Sequence, residues 1–182
     1  YEIEKDLTVA LLEQLPSFDM LQINCHSGIT NMLPFVWNGF DEMARYTYVI
    51  DLTQSEEELW GALRENIRRE SRKARKQLAV ASTSDLEACI RLIGKSYARQ
   101  GNPNPFDSPA MRRLDAACAE RGRRDILVAR DPRGEMHAAL YLIWDGKVTY
   151  YLAGGADPEL RTRGAQSLLV WEAIVRSKAR SV

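Results

Sequence analysis

The most restrictive feature of this sequence is a run of three strand-like segments joined by two very short turns. The segments are "DILVAR" (125–130), "EMHAALYLIW" (135–144) and "KVTYYLAGG" (147–155). The first connection, "DPRG", fits a type I turn with proline at its second position, and the second, "DG", fits a two-residue hairpin turn. Because such turns are too short for a crossover, the segments are predicted to pair antiparallel.

Helical and strand-like patterns on both sides of this unit define the expected order of elements. Helices are predicted at 5–14, 53–78, 85–99, 110–121 and 163–179, and further strands at 18–25 ("FDMLQINC") and 46–52 ("YTYVIDL"). The short apolar stretch "LAVA" (78–81) takes the place of a strand between two of these helices. The order indicates an α/β (α+β) protein with a mixed, mostly antiparallel sheet flanked by helices. The last helix is apolar nearly all round, so we expect it to be buried against the sheet and followed by a parallel return strand. The sequence stops before that strand, and we expect the natural protein to continue.

Composition places the chain among globular proteins and excludes several functions. Hydrophobic residues make up 45% and charged residues 27%, the formal net charge is zero, and no apolar run is long enough to span a membrane. We therefore expect a cytoplasmic protein without a general affinity for DNA. Cys25, Cys89 and Cys118 show no C-x-x-C spacing, so neither a zinc site nor any other metal site is predicted. Cys25 and His26 are adjacent, but neighbouring strand residues point to opposite faces.

The strongest local charge lies in "RENIRRESRKARK" (64–76), which contains seven basic and two acidic residues. On a helix, several of its cations repeat at intervals of three or four and share one face. Such a face is either a solvated surface or a rail for phosphates or an RNA backbone. The residues of the candidate rail are Arg64, Arg68, Arg72, Lys73 and Arg75.

A second candidate site lies in "YYLAGGADPELRTRGAQSLLVWEA" (150–173), where a strand leads into the start of the last helix. A helix N-terminus has unpaired N–H groups and a partial positive charge, both of which favour phosphate. Arg161, Arg163 and Gly164 lie at this helix start. The alternative is a turn whose glycine only permits close packing.

The order of elements, with "YYLAGG" leading into "RTRGAQSLL", resembles the GNAT acyltransferase fold. The phosphate loop of that superfamily follows Arg/Gln-x-x-Gly-x-Gly/Ala; Arg161 and Gly164 match it, and Gln166 departs from its last position. Together with "YTYVIDLTQSEEELWGALRENIRRESRKARK" and "SYARQG", the sequence looks like the Fem-type branch, the peptidoglycan-bridge aminoacyltransferases and their acetyltransferase-like relatives. These proteins contain two GNAT-like units. By this resemblance residues 46–182 form a GNAT-like domain without its last strands, and residues 1–45 form the tail of a preceding unit or a linker.

The resemblance implies attack by an amine on an activated acyl carbon, without a metal. Backbone N–H groups at Leu152 and Ala153 would stabilise the oxyanion. No general base is evident, and the weak candidates are Tyr150, Tyr151 and His137. Glu135 and Asp145 are read as turn residues. The residues expected to hold the phosphates of the donor are Arg161, Arg163, Gly164, Ala165, Gln166 and Ser167.

Three functions remain open at this point. The first is an N-acyltransferase that uses acetyl-CoA or another acyl-CoA and a small-molecule or peptidoglycan-precursor amine. The second is a transferase that uses aminoacyl-tRNA to extend a peptidoglycan precursor, with the basic helix binding tRNA. The third is a non-catalytic module on a degenerate GNAT scaffold.

Overall fold

The computed structural model describes residues 2–26, 28–160 and 164–180. The chain divides into two compact units, residues 1–49 and 50–182. Among the described residues no helix is both long enough and apolar enough to cross a membrane.

The first unit contains two helices that pack against each other, α1 (Glu2–Glu13) and α2 (Leu33–Trp37). Helix α1 confirms the predicted helix and begins three residues earlier than expected. The predicted strand at 18–25 is wrong, because the described residues there have no strand pairing. An alternating apolar pattern becomes a strand only where a second strand is available to pair with it.

The second unit is a four-stranded sheet with helices on both faces. Its elements, in chain order, are α3 (Glu56–Ala62), α4 (Glu65–Arg75), β1 (Ala79–Thr83), α5 (Leu86–Ala98), α6 (Pro109–Glu120), β2 (Arg124–Arg130), β3 (Met136–Trp144), β4 (Thr149–Ala156) and α7 (Ala165–Ala179). The strand order is β1-β2-β3-β4, and every neighbouring pair is antiparallel. The three-strand meander and the helices around it are confirmed.

One prediction about the region before the meander is wrong. The strand at 46–52 is absent: Tyr46 and Tyr48 are about fully exposed, at 96% and 101%, and the segment has no regular structure. The strand expected at the short apolar stretch after the basic helix is confirmed as β1, which pairs with β2.

The long helix predicted at 53–78 is divided into α3 and α4. Leu63 and Arg64 both have extended ψ angles of 143°, and these two residues end α3 and begin α4. Helix α3 begins as its sequence predicts, with a capping box in which Ser55 accepts from the N–H of Glu58 and the Glu58 carboxylate accepts from the N–H of Ser55. Arg64 is the N-cap of α4, and its carbonyl accepts from the N–H of Arg68 (3.1 Å), so it stands at the start of the helix that carries the other residues of the candidate rail.

Each face of the sheet has its own core. On one face, α4 and α7 cover the alternating side chains Leu140 and Leu142 of β3. On the other face, α5 and α6 cover Ala139 and Tyr141 of the same strand. The second core also contains a polar cluster, in which the Tyr141 hydroxyl donates to Asp115 (2.8 Å) and Asp115 pairs with Arg124 (3.1 Å). Tyr141 is buried and its pKa is raised by that burial and by the bond to Asp115.

Candidate functional site

The candidate site begins with a β-bulge in β4. The register of β4 against β3 shifts between Tyr141 and Leu142: Tyr141 pairs with Ala153, Leu142 pairs with Tyr151, and Leu152 has no partner of its own. Two residues, Leu152 and Ala153, therefore stand opposite one. A bulge of this kind leaves backbone groups outside the hydrogen-bond ladder and redirects the side chains that follow it.

The bulge places Tyr151 and Gly154 on the same face of the sheet, the face that α7 covers. A Cβ atom on Gly154 would lie 2.2 Å from the Tyr151 hydroxyl oxygen and 2.7 Å from Nε2 of Gln166, so the missing side chain creates the space that the tyrosine occupies. The Gln166 amide donates to that hydroxyl oxygen over 3.1 Å. The three residues thus join the bulge to the first turn of α7.

Tyr151 is half-exposed, and burial raises the pKa of its phenol, while the hydrogen bond from Gln166 acts in the opposite direction. The net shift keeps the phenol protonated at neutral pH. Because its oxygen already accepts from Gln166, its own O–H can donate to another group. Sequence alone did not decide which of the two adjacent tyrosines faces this site.

Tyr150 points to the opposite face and away from the bulge. Its hydroxyl contacts Asp145 Oδ2 (3.2 Å) in the β3–β4 turn, and its pKa is raised by burial and by that bond. Asp145 also accepts from the N–H groups of Lys147 and Val148, as expected of a turn residue.

His137 lies near the start of β3, four residues before Tyr141, which stands opposite the bulge. At the rise of a β-strand this separation is about 13 Å. The imidazole is thus remote from the bulge, and its neighbours are Asp131 and Glu135 of the β2–β3 turn.

The start of α7 is a helix N-terminus whose N-cap residue supplies no side-chain cap. Gly164 is the N-cap with a φ angle of +87°, and the first intrahelical bond runs from the N–H of Leu168 to the Gly164 carbonyl (2.8 Å). The N–H groups of Ala165, Gln166 and Ser167 precede that bond and have no acceptor within the helix. Arg161 and Arg163 lie outside the described residues.

Gly164 also has a packing role. A Cβ atom there would lie 2.5 Å from the carbonyl oxygen of Glu70 on α4, so only glycine allows this approach. Helix α4 therefore abuts the start of α7.

The basic residues of α4 have different surroundings. The Arg72 guanidinium lies over the Trp60 ring at 5.6 Å, and Arg75 pairs with Glu172 of α7 (2.5 Å). Arg68 is half-buried, and its Nε has no hydrogen-bond partner among the described residues. Lys73 is exposed.

Sequence reasoning missed two residues that shape the site, Gly154 and Gly155. A glycine pair inside a strand is a signal for close approach of other groups, and it was available in the sequence. A Cβ atom on Gly155 would lie 3.2 Å from Cα of Ile93 and 3.1 Å from Oγ of Ser96, so this glycine admits α5 on the opposite face.

Comparisons with known proteins agree with this architecture. The family model of the acetyltransferase (GNAT) domain matches residues 61–182. Among solved structures, the crystal structure of FemX is similar, with a TM-score of 0.65 and 13% sequence identity over 71% of this chain and 49% of FemX. The chain therefore spans about half the length of that structure. No curated protein sequence matches at a significant level.

The FemX likeness shows a shared fold, and the family match covers all four strands, the bulge and the start of α7. The chain belongs to the acetyltransferase (GNAT) domain family.

Proposed function

We propose that this domain transfers an acyl group from acyl-CoA to an amine. The observation that carries the proposal is the bulge at Leu152, joined through Tyr151 and Gln166 to the free N–H groups at the start of α7. One end of this arrangement suits a developing oxyanion and the other suits phosphate. Acyl-CoA carries both groups, a thioester and a diphosphate.

Each part has a separate role in the proposed reaction. The backbone at Leu152 and Ala153 binds the thioester oxygen, and the N–H groups of 165–167 bind the diphosphate. The amine nitrogen attacks the carbonyl carbon and loses a proton to solvent, the carbon–sulfur bond breaks, and the thiolate takes a proton. Tyr151 is the proposed donor of that proton, because its oxygen already accepts from Gln166 and its O–H can donate; solvent then returns a proton to the phenol.

Gln166 fits this proposal although it departs from the usual loop pattern. Its side-chain amide is bonded to Tyr151, which holds it toward the sheet. We propose a cytoplasmic location, where CoA is available, and an acceptor amine of unspecified structure.

Calorimetric titration of acetyl-CoA tests the proposal. We expect saturable binding that Gln166→Glu weakens at least about tenfold, because a carboxylate at the helix start repels phosphate and abolishes the amide donor to Tyr151. Gln54→Glu is the matched control, since Gln54 is exposed and precedes the start of α3. Equal binding by both variants and the wild type, or no binding by a folded wild type, would overturn the proposal.

The resemblance of the sequence to the Fem-type branch supports one alternative, an aminoacyl-tRNA-dependent transferase acting on a peptidoglycan precursor. In that case we expect the affinity for tRNA to fall steeply with salt concentration. Lys73→Glu should weaken tRNA binding, whereas the control Lys147→Glu, in the β3–β4 turn, should not. If neither acetyl-CoA nor tRNA binds, a non-catalytic module is the better description.

A further inference from the structure

A second cluster of functional side chains lies at the end of the sheet remote from the bulge. Asp131, Glu135 and His137 all belong to the β2–β3 hairpin, and one oxygen or nitrogen from each lies within 4.8 Å of the others. One imidazole and two carboxylates form a donor set that suits first-row divalent cations such as Zn²⁺, Co²⁺ or Mn²⁺. The proposed acyl transfer does not use this cluster.

The hairpin fixes Asp131 so that one carboxylate oxygen remains available. Oδ1 accepts from the N–H groups of Arg133 and Glu135, both at 2.9 Å, which holds the carboxylate in the turn. Oδ2 faces the imidazole, 3.5 Å from Nε2 of His137. That separation is too long for a good hydrogen bond and leaves both atoms able to bind a third group.

His137 supplies an independent reason to expect a ligand. The residue is only 8% exposed; within the described part of the chain Nδ1 has no hydrogen-bond partner, and Nε2 has only the long contact with Asp131. A buried ring nitrogen without a good partner is costly, and native proteins rarely leave one so. The backbone of His137 is held in place, because its carbonyl accepts from the N–H of Asp157 (2.8 Å).

The charge around the cluster favours a cation. Lys95 acts electrostatically on Glu135, but its ammonium group is already bonded to the Asp157 carboxylate (2.5 Å). The Arg130 guanidinium is likewise bonded elsewhere, to the Gly134 carbonyl (2.8 Å), so neither cation directly contacts a cluster carboxylate. Glu135 is exposed, so its side chain can rotate to complete the coordination.

We propose that Asp131, Glu135 and His137 bind one divalent transition-metal ion, with water in the remaining positions, and that the ion stabilises the β2–β3 hairpin. This departs from the expectation of no metal site, which rested on cysteine spacing. The sequence signal is Asp-x-x-x-Glu-x-His across a tight turn.

Titration of the metal-free protein with Co²⁺ and Zn²⁺ tests this proposal without any measurement of enzyme activity. We expect one ion per chain, visible d–d absorption for Co²⁺, and a rise in the thermal midpoint with Zn²⁺. The variant His137→Gln should weaken binding at least about 100-fold and abolish that rise, and Glu135→Gln should weaken it about tenfold.

The chain provides a matched control, because its only other histidine is His26, beside Cys25. The double variant Cys25→Ser, His26→Gln should bind as the wild type does. Circular dichroism confirms that each variant is folded. Absence of binding, binding that survives His137→Gln, or binding lost in the double variant would each overturn the proposal.

Discussion

The two faces of β4 are covered by different kinds of groups, although on each face a glycine provides the space for them. On the α5 face, Gly155 lies against helix backbone at Ile93, which cannot easily move. On the α7 face, Gly154 lies under the ends of two side chains, Tyr151 and Gln166, and Tyr151 is half-exposed. The α5 face is therefore closed and sets the fold, whereas the α7 face near the bulge keeps movable groups, as a binding site requires.

The largest predicted effect concerns Gly164, where the backbone at the start of α7 meets the backbone of α4. Gly164→Ala should destabilise the protein by about 3 kcal/mol or more, because a positive φ and a 2.5 Å approach to the Glu70 carbonyl act together. Denaturant unfolding measures the change.

Gly134→Ala is the control for Gly164→Ala, since Gly134 has a φ of +86° with nothing within 4 Å of its added Cβ. Gly134→Ala should lower the free energy of unfolding by only about 1 kcal/mol. Equal losses for the two variants would mean that contact with α4 adds nothing.

The two glycines of β4 give the most direct test of the contrast. Gly155→Ala should cost about 1–2 kcal/mol, because Ile93 and α5 must shift. Gly154→Ala should cost less than about 0.5 kcal/mol, since the Tyr151 ring can rotate outward and alanine reduces the entropy of the unfolded chain. The affinity for acetyl-CoA should show the opposite ranking: Gly154→Ala should weaken binding more than Gly155→Ala does. If Gly154→Ala and Gly155→Ala lower the free energy of unfolding by similar amounts, the proposed difference between the two faces is wrong.

A further prediction separates Tyr141 from Tyr151 by the removal of a single hydroxyl group. Tyr141→Phe should cost about 1 kcal/mol, because Asp115 loses a hydrogen-bond donor. The pKa of Tyr141 is raised in the folded state, so its stabilising contribution is full below the usual value of 10.0 and is lost as pH rises above it. Unfolding followed from neutral to alkaline pH should show a steeper loss for the wild type than for Tyr141→Phe.

Tyr151→Phe is the comparison variant, and its stability at neutral pH should change little. A cost equal to that of Tyr141→Phe would show that the α7 face is as tightly closed as the α5 face.

The fold was predictable where local turn chemistry determines pairing. The turns at 131–134 and 145–146 fix the β2–β3–β4 meander, and the caps Asp85 and Ser108 mark the starts of α5 and α6. The strand expected at 46–52 failed because strand formation depends on a partner elsewhere in the chain. Strand β1 was indicated only by a short apolar stretch between two helices, and its pairing with β2 could not be read from that stretch alone.

The contacts within the candidate site could not be predicted from the sequence. That the donor binds at the strand-to-helix junction, 150–167, stays a prediction. The bulge at Leu152 depends on the register with β3, and the bond between Tyr151 and Gln166 depends on how α7 packs. These are relations between distant residues, and no local pattern specifies them.

The close approach of Gly164 to the Glu70 backbone has a thermodynamic consequence. A ligand that binds α4 and displaces it must also displace the start of α7, because no space separates the two backbones. Linkage then requires the reverse effect to be equal: whatever factor a polyanion on α4 imposes on the affinity of the donor, the donor imposes on the polyanion. The two candidate anion sites of this domain cannot be occupied independently if α4 moves.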